Sequence, residues 1–288
     1  MVPTLHHVLI APEHGAPRAL TLFAHGILGR GANLRAVARR FVRDRGDGMG
    51  AVLVDLRMHG ASQGFPAPHG IVAAAADLSA LEGSLPAKVT AIVGHSLGGK
   101  IALVYAGHRR ERAPLDEVFV LDSMPGARGD GAGPEHVEQI VDMLASLPRH
   151  FPTRRAFTDA VRARGEHEAI AEWLATNLER RPDGFVLRLD LLAIRALLAD
   201  HFETDAWPML EAPGPERFVM IVGGRSPAFG AGDRERLARA AAASEGRIRV
   251  VTLAEAGHWV HVDDFEGVAR AMTGSGASGP LSARLPRS

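Results

Sequence analysis

Read only as apolar and polar positions, the chain is a series of short apolar runs separated by amphipathic stretches. The runs are Leu20–His25 (LTLFAH), Ala51–Leu56 (AVLVDL), Val89–Gly94 (VTAIVG), Val118–Asp122 (VFVLD), Phe218–Gly223 (FVMIVG) and Ile248–Leu253 (IRVVTL). Each is nearly continuous rather than alternating and rich in Val and Ile, which predicts strands covered on both faces. Helical patterns over Leu34–Arg45, Val72–Leu81, Leu97–Arg110, Arg234–Ser244 and Phe265–Met272 lie between or after them. Strands alternating with helices predict a mostly parallel central sheet flanked by helices, an α/β fold.

One interval breaks the alternation. From about Pro134 to His201, HVEQIVDMLASL, RRAFTDAVRA and HEAIAEWLATNL follow one another with helical spacing, and FVLRLDL and LLAIRALLADHF close the interval. That is too long for one crossover, so it reads as a helical cap inserted on the sheet. The expected division is a core of residues 1–126 and 206–273, a cap of 127–205 and a tail of 274–288. The tail is small and polar with Gly and Pro, the composition of a disordered terminus.

Composition changes this picture mainly by exclusion. Lys+Arg and Asp+Glu both number 33 in 288 residues, so no net field draws the chain to nucleic acid or an anionic membrane. Cysteine is absent, which removes disulfides, thiolate metal sites and a cysteine nucleophile. No apolar run approaches the roughly 20 residues that span a bilayer. The start, MVPTLHHVLIAPEHGAP, lacks the basic and long apolar regions of a secretory signal. The expectation is a soluble cytoplasmic protein, monomer or homodimer, acting on a small molecule.

The chemistry starts at Val93-Gly-His-Ser-Leu-Gly-Gly99, which places G-x-S-x-G between a predicted strand and a predicted helix. On so sharp a turn, side chains at positions 94 and 98 would collide, and the glycines there leave Ser96 exposed as a nucleophile. The helix start that follows directs amides at developing negative charge. His25-Gly-Ile-Leu-Gly29 also follows a strand, and its Ile27 amide is the expected partner of the Leu97 amide in an oxyanion hole. His25 and Trp259 are the candidates to touch bound substrate. His258, in EAGHWVH, stands after the last strand and beyond the serine, where a base that takes the Ser96 proton belongs. His261 is its rival. The two histidines together are a conceivable metal pair, but no H-E-x-x-H pattern or third ligand accompanies them, so no metal is expected. Phe151, Phe157, Trp173, Leu174, Leu192 and Ile194 of the cap are candidates for an acyl pocket, although helical spacing makes most of them plain core.

The segments HGILG, VDLRMHGAS, GHSLGGK, VLDSMPG, GGRSPAF and AGHWVH stand in that order between residues 25 and 261. Jointly they resemble the α/β-hydrolases, and more narrowly a branch of bacterial and mitochondrial esterases. In most of that superfamily the triad acid follows the strand that here ends in GGRS, where Ser226 stands. In the branch it follows the preceding strand, which makes Asp122 in Leu121-Asp-Ser-Met-Pro125 the implied acid and Ser226 a supporting hydroxyl. Asp233, on the next helix, is the competing acid. Met58 departs from the branch, which usually has asparagine there. Asp55 and Arg57 are expected to form a structural ion pair. The implied activity is hydrolysis of carboxylic esters, or thioesters such as acyl-CoA, through an acyl-enzyme on Ser96 with no cofactor. An acyltransferase, a perhydrolase or lyase on the same triad, and a non-catalytic binder are the alternatives. A serine at position 96 rules out the carboxylate nucleophile of haloalkane dehalogenases and epoxide hydrolases.

Overall fold

The continuously apolar runs become neighbours in one sheet. The computed structural model describes residues 3–46, 48–128 and 135–274, so of the expected tail all but Gly274 lies outside the described residues. The first half holds β1 (His7–Ile10), β2 (Ala19–Ala24), β3 (Met49–Val54), β4 (Lys88–His95) and β5 (Glu117–Leu121). Three short strands follow, β6 (His150–Phe151), β7 (Leu178–Arg181) and β8 (Gly184–Leu187), and then β9 (Arg217–Gly223) and β10 (Ile248–Leu253). The main sheet has the order β1-β3-β2-β4-β5-β9-β10. Every pairing in it is parallel except β1 with β3.

Successive residues of these strands face opposite sides of the sheet, and each side has its own apolar core. Leu22, Val52, Ile92 and Val120 enter one core with α2 (Ile71–Glu82) and α3 (Leu97–Arg109). Phe23, Leu53, Val93 and Phe119 enter the other with α1 (Arg35–Arg45) and α11 (Phe265–Thr273). Double coverage is why these strands read as unbroken apolar runs. β10 is the exception, because it is an edge strand and Val250 on it is exposed.

Between β5 and β9 the chain leaves the sheet. It forms α4 (Glu135–Ser146), α5 (Arg154–Arg162), α6 (Glu168–Leu174) and α7 (Leu191–Glu203), then α8 (Trp207–Glu211) on the return. The helices fall where helical spacing predicts them, but the insertion is not all helix. β8 pairs antiparallel with both β6 and β7 in a separate small sheet. The insertion is tied down at its neck and its base. Ala206 donates its N–H to the Pro125 carbonyl at 2.8 Å. Below it the buried Lys100 ammonium donates to three carbonyls, Gly126 at 2.8 Å, His201 at 2.5 Å and Thr204 at 3.0 Å. Asp200 of α7 accepts the Ile71 N–H at 2.6 Å and so caps α2 of the core. After β9 come α9 (Ala231–Ala243), then α10 (Val260–Asp263) behind β10. Among the described residues no helix is long and apolar enough to cross a membrane.

Candidate active site

Loops at the carboxyl ends of β2, β4, β5, β9 and β10 converge on one place, as they do in open parallel sheets. β4 runs into α3 with Ser96 alone between them, at φ 53° and ψ −117°. A non-glycine residue held there costs about 1–3 kcal/mol and persists only if its surroundings enforce it. The glycines do so. A Cβ on Gly94 would lie 2.1 Å from the Gly98 carbonyl oxygen, and one on Gly98 would lie 2.2 Å from that of Ala24. The chain can pass only with hydrogen at both positions, and the serine side chain is left at the crest of the turn.

His258 follows β10 and points its ring at that crest. Its Nε2 is 3.0 Å from Ser96 Oγ, and its Nδ1 is 2.7 Å from Asp122 Oδ2. Asp122 stands at the end of β5 with φ 45° and no solvent exposure. A buried carboxylate needs donors, and this one has three. Oδ2 accepts from His258 and from the Ser226 hydroxyl, while Oδ1 accepts the Gly223 N–H at 2.9 Å. Ser226 thus stands against Asp122, at the end of the neighbouring strand. Asp233 lies elsewhere: it accepts the Gly230 N–H at 3.0 Å and caps α9.

The carboxylate on Nδ1 selects the tautomer with hydrogen there, leaving Nε2 as an acceptor for the serine proton. His95, beside Ser96, secures the backbone of His258 from behind, donating from Nε2 to the His258 carbonyl at 2.9 Å. His261 packs its ring on His95 with centroids 4.6 Å apart, and burial pushes it down to about 4. His261 is therefore a neutral wall at physiological pH, and it makes no hydrogen bond to Ser96. Among the described residues no group of three or more His, Cys, Asp or Glu side chains is placed to hold a metal ion.

The loop after β2 lines the same cavity. The amides of Ile27 and Leu97 have no acceptor within the protein among the described residues, and both residues line the cavity beside Ser96. Two neutral histidines hold this loop. His25 donates from Nδ1 to the Gly26 carbonyl at 2.7 Å and accepts the Leu56 N–H on Nε2 at 3.0 Å. His59 donates from Nδ1 to the Arg57 carbonyl at 3.0 Å and accepts the Leu28 N–H on Nε2 at 3.1 Å. Burial pushes His25 down to about 4 and His59 to about 3. His25 lines the cavity, but both its nitrogens are committed to backbone, so it offers substrate only its ring surface. From the insertion, Asn177 donates to the Leu28 carbonyl at 2.8 Å.

One sequence expectation needs correction here. Asp55 and Arg57 do not pair with each other. Asp55 accepts the amides of Gly31 at 2.8 Å and Ala61 at 2.9 Å, whereas Arg57 binds Asp77 at 2.7 Å. A carboxylate beside a turn finds backbone donors closer than a side chain two residues on. The apolar candidates of the insertion are mostly core, as their helical spacing predicts. Trp173 lines the cavity, with its ring 5.6 Å from that of Trp259. Phe151, Phe157, Leu174 and Ile194 are interior core, and Leu192 is 81 % exposed. Met58 adopts φ 63°, a conformation that asparagine tolerates better than methionine.

The cavity over Ser96 measures about 660 Å³ and is walled by both the sheet loops and the insertion. Sequence reasoning passed over His95, His59, Lys100 and Asn177. The first three lie inside the quoted motif segments, so adjacency to the nucleophile or to a turn was a usable signal. Asn177 had none, because its partner is 149 positions away.

A serine on a strand-turn-helix crest, a histidine behind the last strand and a buried carboxylate point to a class of protein, and comparison with known chains agrees with it. The model of the alpha/beta hydrolase family matches residues 21–271, and the chain belongs to that family. The sn-1-specific diacylglycerol lipase ABHD11 of Xenopus tropicalis is 28 % identical over 259 residues, 87 % of this chain and 76 % of that protein. Esterase YbfF of Escherichia coli is 26 % identical over 251 residues, 87 % of this chain and 90 % of its own. Among solved structures, a marine microorganism esterase superposes with a TM-score of 0.77 at 20 % identity, covering 93 % of this chain and 97 % of the other. That last likeness speaks for the fold alone.

Proposed function

We propose that the protein is a serine hydrolase of carboxylic esters. The observation that carries this reading is the unbroken relay from Asp122 through His258 to Ser96, opening into a largely apolar cavity. His258 Nε2 takes the Ser96 proton as Oγ attacks the ester carbon, and the new oxyanion is received by the amides of Ile27 and Leu97. Asp122 steadies the imidazolium. Collapse of the tetrahedral adduct breaks the bond to the alcohol, which leaves with the proton from His258. Water, deprotonated by the same ring, then attacks the acyl-enzyme, and the acid departs as Ser96 Oγ recovers its proton. No step calls for a cofactor.

The lipase and esterase names of the relatives support esters over other acyl compounds. The insertion, residues 127–205, serves in this reading as a cap that closes the cavity and selects the substrate. Purified protein is expected to hydrolyse p-nitrophenyl butyrate, and Ser96→Ala to lower kcat by about 10⁴-fold or more. A fluorophosphonate probe is expected to label the wild type and not the variant. Wild-type turnover by Ser96→Ala would refute the reading.

A further inference from the structure

Resting on the hydrolase reading, we infer that one wall of the cavity is a hydrogen-bonding subsite, made by His201 and Ser123, for an uncharged hydroxyl carried by the ester. Most of that cavity is apolar, with Leu34, Val137, Ile140, Ile170, Leu198 and Phe202 in its lining. His201 and Ser123 line it too. Ser123 Oγ and His201 Nδ1 are both sealed from solvent without a hydrogen-bond partner, and the His201 ring makes no hydrogen bond to any described residue. Buried polar atoms are nearly always paired, because an orphan forfeits about 1–3 kcal/mol. Two orphaned side chains among the residues that line a substrate-sized cavity call for a partner that arrives with the ligand.

The backbone that carries the two groups is held in place. The Lys100 ammonium grips the His201 carbonyl and the Gly126 carbonyl together, fixing α7 and the loop that bears Ser123 to the same point. On its other side Ser123 lies against the first turn of α3, where a Cβ on Gly99 would come within 2.5 Å of Ser123 Cβ. That turn begins at the residue after Ser96, so Ser123 stands beside the turn that carries the reacting serine of the proposed reaction.

The chemistry selects a hydroxyl. Burial, with the charge of Lys100 next in weight, holds the His201 ring well below its ordinary value, so it carries one N–H donor and one lone pair. Ser123 likewise both donates and accepts. A hydroxyl answers both kinds of group, whereas a carboxylate would leave the ring lone pair facing negative charge. The three N–H donors of Lys100 are already spent on three carbonyls, and Arg128, also in the lining, donates to the Ala228 carbonyl. The hydroxyl can come from the acyl half or the alcohol half of the ester.

Matched pairs separate these sources and test the subsite. One compares p-nitrophenyl 3-hydroxybutyrate with p-nitrophenyl butyrate, the other glyceryl monobutyrate with propyl butyrate. The expected result is a preference of about tenfold in kcat/KM for the hydroxylated member of one pair, the factor one good hydrogen bond supplies. His201→Phe, which keeps the ring shape, and Ser123→Ala should each erase most of that ratio. A ratio near one in both pairs, a ratio unmoved by both variants, or a preference for p-nitrophenyl hemisuccinate overturns the inference. Equilibrium binding of the same esters to Ser96→Ala protein reads the ratio without turnover. Should no ester be hydrolysed, the proposed reaction fails while this binding ratio still decides the subsite.

Discussion

Asp122 owes its place to two neighbours on one strand. Its N–H donates to the Ile221 carbonyl at 2.8 Å, extending the ladder between β5 and β9 by one residue, and its side chain turns back to the Gly223 amide. A carboxylate so placed reaches His258 although it leaves the sheet one strand before the strand that leads to Ser226. Asp122→Asn should keep the fold and lower kcat on p-nitrophenyl butyrate by about 10³–10⁴-fold with KM little changed, since the amide stabilises the wrong tautomer. Asp233→Ala should leave kcat alone and reduce stability by about 1 kcal/mol, the usual worth of a helix cap, measurable by urea unfolding. Ser96, His258 and the turn glycines could be singled out from residue pattern alone, because backbone geometry restricts what can stand there. The carboxylate that meets His258 could not. Two aspartates satisfied the pattern, and only likeness to known motifs favoured Asp122 until the coordinates put it 2.7 Å from the ring.

Among the elements, those with a continuous core were legible, and of those without one only β10, rich in Val and Ile, was. β2, β4, β5 and β9 are covered on both faces and announce themselves. β1 is a four-residue edge strand with mostly half-buried positions, and β7 is Leu-Glu-Arg-Arg, too polar to read as sheet. Both take their conformation from partners distant in sequence rather than from their own composition. Lys100 shows the same dependence in the opposite direction: a charged residue in a helix that is otherwise apolar where it meets the core, retained because three carbonyls surround its ammonium. Burial lowers it to about 8, so it remains charged at neutral pH. Lys100→Met would leave those carbonyls without their donor, a loss of about 3 kcal/mol or more. The expected result is hydrogen exchange at least about 100-fold faster in α7 than in β4 relative to wild type. Equal acceleration of both would mean the lysine holds the whole fold rather than the insertion.

At the scale of the molecule, buried neutral histidines set the response to acid. His25, His59 and His261 are held at about 4, 3 and 4, and His95 lies well below its usual 6.5, in each case chiefly by burial. Unfolded, these rings take up protons near 6.5, so between that pH and about 4 the unfolded chain binds more protons than the folded one. Stability therefore falls as the pH is lowered through this window, by about 1.4 kcal/mol per unit for each such histidine. Urea midpoints at pH 7, 6 and 5 should give a slope of more than one proton, and His59→Gln should lower it by about one. A flat profile from pH 6 to 5 would show the rings to be solvated. One further consequence follows from the neck at Pro125 and Ala206. Because the two ends of the insertion are pinned together by two peptide hydrogen bonds, Ala206 N–H to the Pro125 carbonyl and Arg128 N–H to the Phe202 carbonyl, the segment between them should behave as a cassette whose length does not alter the register of the strands beneath. Transplanting a different cassette at that joint would re-tailor which molecules are accepted while leaving serine, aspartate and histidine on the parent scaffold.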